Sequence, residues 1–332
     1  MKAAVFRGPR DVQFEQVDRP TLEENEVLLR VRACGICGSD LHTYRHGMFQ
    51  EVLGVPAGTG RILGHEFSGE IAEIRGDVAG FKVGDRVIGL GTGGNAEYIK
   101  IAQPATRLMI PFDESLGFAE AATTEPLATS LHAVNLAQPK DAEVHVVMGA
   151  GIIGLGVLQC IKSRSSARTV VVDLSDKRLA MATELGADMT INATKTDAVT
   201  KMMGPGGLGL EGVLAGNVDT VYDCAGLTKN FEGTSVLEQA LSMVKQDGKV
   251  IIVAIFEKPL EIEWNLIVRK GIRLFGSWAW SPEEFVEASR LIRSGEIDRR
   301  PLVTHTFSLE EASKAYETQL QAEEAIKVVL TP

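Results

Sequence analysis

Cysteine is scarce in this chain: four in 332 residues, Cys34, Cys37, Cys160 and Cys224. Four thiols scattered in this way do not make a disulfide framework, and a reducing compartment, the cytoplasm, is expected. Basic residues are short as well, with Lys+Arg 34 against Asp+Glu 44 and a formal net charge of -10. That balance excludes the basic face a nucleic-acid binder needs and disfavours an anionic membrane surface. No apolar run reaches the length of a membrane span. The start, Met1-Lys2-Ala3-Ala4-Val5-Phe6, carries no long apolar leader and no cleavage pattern, so no secretory signal is expected. Internal repeats and low-complexity tracts are also missing. What remains is 45% hydrophobic and 23% charged, ordinary for a globular chain. Its length exceeds what one core usually holds, and two domains are expected.

Residues 1 to about 100 read as short strands separated by Gly, Pro and Asp turns, at 1–6, 12–17, 26–32, 62–75, 86–90 and 96–101. They suggest a closed or nearly closed small barrel. From Ser115 the texture becomes helical through 116–122 and 127–136, with Pro126 suited to a first helical position. From Glu143 strands and helices alternate, which predicts a doubly wound parallel sheet and an α/β fold class. The Gly-rich stretch 204–216 reads as a surface loop. The end, from Pro282, reads as two helices around a loop and a last strand at 325–330.

Inside that alternation lies Gly149-Ala150-Gly151-Ile152-Ile153-Gly154. A lone G-x-G-x-x-G is weak evidence, but this one follows a predicted strand and opens a predicted helix. Asp173 lies 19 positions beyond Gly154, at the end of the next strand. That context is the dinucleotide fingerprint. Gly149 allows the tight turn, Gly151 admits the pyrophosphate to the helix N-terminus, and Gly154 lets helix and strand pack closely. Asp173 would bond the adenosine ribose and repel a 2′-phosphate, favouring NAD over NADP.

A second cluster is Gly35-Ile36-Cys37-Gly38-Ser39-Asp40-Leu41-His42, expected where a strand gives way to a loop, with Gly64-His65-Glu66 following later. A lone Cys or His is usually a core residue. Two such groups in one strand-rich region offer thiolate, imidazole and carboxylate, the three ligand types zinc accepts.

Together the two halves resemble the zinc-dependent medium-chain dehydrogenases/reductases, the alcohol, sorbitol and threonine dehydrogenase group. The matching segments are Gly35–His42, Gly64-His65-Glu66-Phe67-Ser68-Gly69, Gly84-Asp85-Arg86-Val87, Glu125-Pro126-Leu127-Ala128 and Gly149–Gly154, in family order and spacing. The resemblance implies a GroES-like catalytic domain from 1–125 and 277–332, and a Rossmann NAD-binding domain at 126–276. It implies an NAD-linked oxidoreductase with one catalytic zinc, acting on a small alcohol or ketone, and a homo-oligomer, dimer or tetramer. Residue by residue it implies zinc on Cys37 and His65, with Glu66 a direct or exchangeable ligand or a neighbouring charge. Glu125 would be a further ligand or only a carboxylate at a helix start. Asp40 would orient His65 through its second ring nitrogen. Ser39 would take the hydroxyl proton and His42 would pass it on; a turn hydroxyl and a surface imidazole are the plainer readings. Ile152 and Ile153 would accompany the glycines at the cofactor, and Arg178 would stand near the adenosine. Cys34, His132 and His145 read as structural.

Two departures from the family pattern stand out. Ten residues, 87 to 96, separate Arg86 from Glu97, and none is Cys, so the structural zinc lobe of many members is absent. The segment Gly276-Ser277-Trp278-Ala279-Trp280 lacks the Arg that sorbitol dehydrogenases place there. Tyr44, Phe49 and Trp278 are the candidate substrate pocket. A polyol or other secondary alcohol is the first expectation and a cyclic or aryl alcohol the alternative. A zinc-free reductase would lack the Cys37/His65 pair, and a non-catalytic dinucleotide-binding protein would need neither ligands nor relay.

Overall fold

Short runs that mix apolar and polar residues become strands along the first part of the chain: β1 (Lys2–Gly8), β2 (Asp11–Gln16), β3 (Glu26–Gly35), β4 (Arg61–Ile62), β5 (Glu66–Arg75), β6 (Arg86–Gly89), β7 (Tyr98–Ile101) and β8 (Ile110–Pro111). The structure, a computed structural model, describes residues 1–49, 61–203, 217–226 and 233–332. The long strand β3 is central. β5 runs antiparallel along it from Glu26↔Arg75 to Gly35↔Glu66, and β7 pairs with it as well. Val27, Leu29 and Val31 of β3 pack with Phe67, Ile71, Val87, Ile99 and Ile101 as one buried cluster. β1 forms a separate three-stranded sheet with β2 and β4, joined to the rest by a bridge at Ala3↔Ala96. The strands thus make two sheets instead of one closed ring.

Three local details differ from expectation. The single strand expected at 62–75 is broken, because Gly64 sits at φ 91, a left-handed conformation, and leaves His65 between β4 and β5. The residues after β3 are not a loop but helix α1 (Gly38–His46), closed by Gly47 in the left-handed region. Pro126 is the third residue, not the first, of α3 (Thr124–Ala137), which follows the short α2 (Phe118–Ala121).

From Val144 the alternation expected from the sequence is present: β9 (Val144–Met148), α4 (Ile152–Lys162), β10 (Arg168–Asp173), α5 (Asp176–Glu184), β11 (Met189–Asn192), α6 (Ala198–Met203), β12 (Val218–Asp223), α7 (Val236–Met243), β13 (Val244–Ile252), α8 (Trp264–Lys270) and β14 (Arg273–Gly276). The six strands are all parallel, in the order β11-β10-β9-β12-β13-β14. That is the doubly wound order, in which ligands bind beyond the carboxyl ends of the strands where the order reverses, here at β9 and β12. Val146, Val170, Val172, Val221 and Val250 fill the sheet's buried cluster, as a sheet covered on both faces requires. The stretch 204–216, expected as a loop, lies outside the described residues.

The tail supplies α9 (Pro282–Arg293), β15 (Val303–Ser308), α10 (Ala312–Leu320) and β16 (Lys327–Thr331). β15 lies where a loop was expected. It runs parallel to β16, which pairs antiparallel with the end of β3 at Leu330↔Cys34 and Val329↔Gly35. The chain forms two compact units, Met1–Pro126 with Phe285–Pro332, and Leu127–Glu284. Among the described residues no helix is long and apolar enough to cross a membrane.

Lys270 is fully buried and closes the C-terminal end of α7, donating to the carbonyls of Leu241 (3.1 Å), Ser242 (2.6 Å) and Val244 (2.9 Å). Burial pulls its ammonium down to about 8. Lys270→Met would take a donor away from three carbonyls at the end of α7. A buried unsatisfied polar group costs roughly 1–3 kcal/mol, and part of that is offset by no longer burying the ammonium, so a loss of about 3 kcal/mol is expected. Urea denaturation of the variant checks this, and a change below about 1 kcal/mol would contradict it.

Candidate active site

The pairing Gly35↔Glu66 between β3 and β5 decides the first site. Cys37 lies two residues past the end of β3, and His65 lies one residue before β5. An antiparallel register with Gly35 opposite Glu66 therefore brings both to the same end of the sheet. One ligand atom from each of Cys37, His65 and Glu66 lies within 4.8 Å of the other two. Cys37 is the N-cap of α1, where the helix dipole favours negative charge. Burial draws the His65 imidazole down, but the Cys37 sulfur, which it hydrogen-bonds, together with Asp40 and Glu125, outweighs this and raises it well above its ordinary value.

Glu66 is completely buried. Its Oε2 accepts from Lys327 Nζ at 2.6 Å, and its Oε1 has no partner among the described residues. Its carboxylate occupies the space a side chain on Gly35 would take, since a Cβ there would collide with Glu66 Oε2. A buried carboxylate oxygen without a donor, beside a sulfur and an imidazole, is what a metal ion would complete. Three protein donors of S, N and O type also leave a fourth tetrahedral position open, as catalytic zinc requires. The residues present therefore fit zinc.

Asp40 faces the His65 imidazole but makes its hydrogen bonds elsewhere. Its Oδ1 is 3.9 Å from His65 Nδ1, beyond hydrogen-bond length. Its oxygens instead accept from the backbone N–H groups of Cys37 (3.0 Å) and Gly64 (3.4 Å). Burial pushes its carboxyl up, against the pull of His65. Asp40 thus ties together the two segments that carry the sulfur and the imidazole. Glu125 stands in the first turn of α3 and raises His65, but it is not one of the three clustered donors.

Ser39 and His42 are three residues apart on α1 and share a face. His42 Nδ1 is 3.4 Å from Arg45 Nη2, and its ring meets Phe49 edge-on at 6.5 Å. The pocket expectation for Tyr44 is corrected. Its side chain is buried with Phe6, Leu309 and Tyr316, and its hydroxyl donates to Glu317 at 2.7 Å. It follows His42 by two positions, which on a helix turns it toward the core instead. Trp278 belongs to the second unit and is 70% exposed. Cys34 is a buried thiol outside the donor cluster, raised by that burial. His132 pairs with Glu284 at 2.9 Å, and the buried His145 lies 3.2 Å from Glu143 Oε2.

In the second unit, the glycine turn joins β9 to α4. Gly149 is left-handed at φ 99, Gly151 caps α4, and a Cβ on Gly154 would collide with the Gly149 carbonyl. Ile152 and Ile153 form the first turn of α4 and are half-buried. Arg178 Nη1 would lie 3.9 Å from a Cβ on Gly151, which puts a guanidinium over the turn. Asp173 accepts three backbone N–H bonds, from Ala150 (2.6 Å) on Oδ2 and from Leu174 (2.8 Å) and Ser175 (2.9 Å) on Oδ1. A carboxylate offers about four acceptor positions, so these three donors hold the glycine turn without exhausting Asp173.

Two residues escaped the sequence reading. Asp223, at the end of β12, holds the turn at Ala225 and Gly226 that packs on Gly149, and its Oδ2 is buried without a partner among the described residues. Lys327 was the more legible, being a lysine inside the apolar run Ala325-Ile326-Lys327-Val328-Val329-Leu330.

A strand-rich unit with a Cys/His/Glu donor cluster and a doubly wound unit with a dinucleotide turn define a class, the zinc-type alcohol dehydrogenases. Residues 23–126 match the alcohol dehydrogenase GroES-like domain family and residues 153–294 the zinc-binding dehydrogenase family. The chain is 31% identical to sorbitol dehydrogenase of Bacillus subtilis, over 100% of this chain and 97% of that protein. The crystal structure of 2R,3R-butanediol dehydrogenase from Bacillus subtilis superposes with a TM-score of 0.84 at 28% identity, covering 100% of this chain and 99% of that one. A zinc-binding dehydrogenase structure from Sinorhizobium meliloti, bound to NADP, gives 0.84 at 26% identity, covering 100% and 99%. The chain belongs to the zinc-type medium-chain dehydrogenase family. It is an enzyme, a zinc-dependent oxidoreductase that moves a hydride between a secondary alcohol and NAD.

Gly35→Ala tests the architecture of the donor cluster. The added methyl must push the Glu66 carboxylate aside, so zinc per chain is expected to fall well below one, with activity falling in parallel. Metal analysis of purified protein checks this; full zinc content in the variant would contradict it.

Proposed function

We propose that the chain oxidises a polyol or vicinal diol at a secondary carbon, with Cys37, His65 and Glu66 as zinc ligands and Glu125 close by. The observation that carries this reading is the buried, unpartnered Oε1 of Glu66 beside the Cys37 sulfur and the His65 imidazole. Sorbitol and 2,3-butanediol, for which two of the similar proteins are named, both present adjacent hydroxyls. Zinc, when bound, supplies Lewis acidity that brings an alcohol hydroxyl toward neutral pKa, and the nicotinamide accepts the hydride.

The chain's own residues would do the rest. Ser39 accepts the hydroxyl proton, and His42, one turn further along α1, carries it away. Phe49 walls the side of His42. The glycine turn and the N-terminus of α4 hold the pyrophosphate, with Arg178 above the turn. Asp173 places a negative charge where a 2′-phosphate would come, so NAD is preferred over NADP. The two units serve as catalytic and NAD-binding domains, and the free thiols suit the cytoplasm. A homo-oligomer, dimer or tetramer, is supported by the edge strand β14, which has one neighbour among the described strands and carries the exposed Leu274. Trp264 and Val268 on α8 are exposed as well.

The test is a screen of NAD⁺ and NADP⁺ reduction over polyols, vicinal diols, 3-hydroxy amino acids and cyclic alcohols, with Cys37→Ser as the control. One zinc per chain, turnover of a diol with NAD⁺ and loss of both in Cys37→Ser are expected. Turnover confined to cyclic or aryl alcohols, or undiminished in Cys37→Ser, would remove the reading.

A second measurement addresses the relay. A positioned acid–base group is typically worth about 10²–10⁴ in rate. Ser39→Ala should lower kcat on that scale, with NAD affinity unchanged. Near-normal kcat, with a substrate deuterium isotope effect showing that hydride transfer limits the rate, would take Ser39 out of the mechanism.

A further inference from the structure

Lys327 is 1% exposed, and so is the Glu66 side chain it faces. An ammonium that deep is costly unless its donors are used. Two of them have named acceptors: Glu66 Oε2 at 2.6 Å and the carbonyl of Ile36 at 2.8 Å. Those acceptors belong to different segments. Ile36 precedes Cys37, and Glu66 follows His65. β16 brings the lysine there, because Val329 pairs with Gly35 and the antiparallel register carries Lys327 toward the level of Cys37.

The arrangement mirrors that of Asp40. Asp40 accepts from the N–H groups of Cys37 and Gly64, and Lys327 donates to Ile36 O and Glu66. Two buried charges of opposite sign thus brace the same two segments, one through amides and the other through a carbonyl and a carboxylate. Lys327 has a second effect that Asp40 lacks. By holding Oε2, it leaves Oε1 as the one oxygen of Glu66 without a partner among the described residues.

We propose that Lys327 is a positioning residue of the metal site: it fixes the spacing of the Cys37 and His65-Glu66 segments and presents Glu66 to the metal through one oxygen. The proposal rests on the reading of Cys37, His65 and Glu66 as a zinc site. Two effects of removing the ammonium oppose each other. Loss of a positive charge would draw zinc in more tightly, whereas loss of the brace would loosen the donors. A positioning role requires the second to win. Partners of metal ligands typically contribute about 10–100-fold in metal affinity.

The experiment measures the zinc dissociation constant of chelator-stripped protein by competition with a chromophoric chelator, and the visible spectrum of the cobalt-substituted protein. Wild type, Lys327→Met, Lys327→Arg and Cys37→Ser are compared. Lys327→Met is expected to bind zinc about 10–100-fold more weakly, with a shifted cobalt spectrum. Equal or tighter zinc binding, or a lower melting temperature with affinity and cobalt spectrum unchanged, would overturn the proposal and leave Lys327 a packing residue. Where Lys327→Met does not fold, Lys327→Arg carries the test. Its planar guanidinium keeps the charge but changes the reach to both oxygens, so at least tenfold weaker binding is expected, and wild-type affinity would overturn the proposal. A wild type that binds no zinc, or a Cys37→Ser that binds it fully, would overturn the zinc site as well, a result distinct from failure of Lys327 alone.

Discussion

The contact on which the first unit depends is the buried meeting of Glu66 with Lys327 over Gly35. Neither charge is tolerable alone at that depth, since removing one partner of a buried pair typically costs about 3–5 kcal/mol. The pair therefore commits three strands to one register: β5 through Glu66, β3 through Gly35 and β16 through Lys327. The donor cluster follows from that register. The last strand of the chain thus packs against a donor cluster whose three residues lie in the first 66 positions.

The second unit solves a different problem. A dinucleotide turn must bring backbone close to phosphates, so it needs a glycine where φ is positive and another where helix and strand nearly touch. Gly149 and Gly154 meet those needs. Asp173 has a double task, holding the amide of Ala150 while keeping its charge at the end of β10. The glycine turn and the end of β10 are therefore tied together by one carboxylate.

Composition, alternation and motif context were enough to read a doubly wound sheet, and the resemblance to the zinc-dependent dehydrogenases pointed to Cys37, His65 and a carboxylate. These signals are local. A glycine fingerprint between a strand and a helix, or a Cys beside a strand end, can be seen in a dozen residues. Tyr44, β15 and the role of Asp40 were not legible, because each depends on partners far along the chain. Tyr44 lies in the run that suggested a pocket, yet its direction is set by Tyr316 and Glu317.

The sequence by itself determined the chemistry on offer: thiol, imidazole and carboxylate in one half, a glycine turn with an acidic strand end in the other, and no Cys between Arg86 and Glu97. Tertiary structure decided which carboxylate joins the cluster and which of its oxygens Lys327 holds. Glu66 adjoins His65 in sequence, but only the antiparallel register of β3 with β5 sets the two beside Cys37, and Glu125 is not one of the clustered donors. It also decided that a lysine 261 residues away in sequence would meet that carboxylate, since the strand order of a sheet, and not spacing along the chain, determines which charges meet.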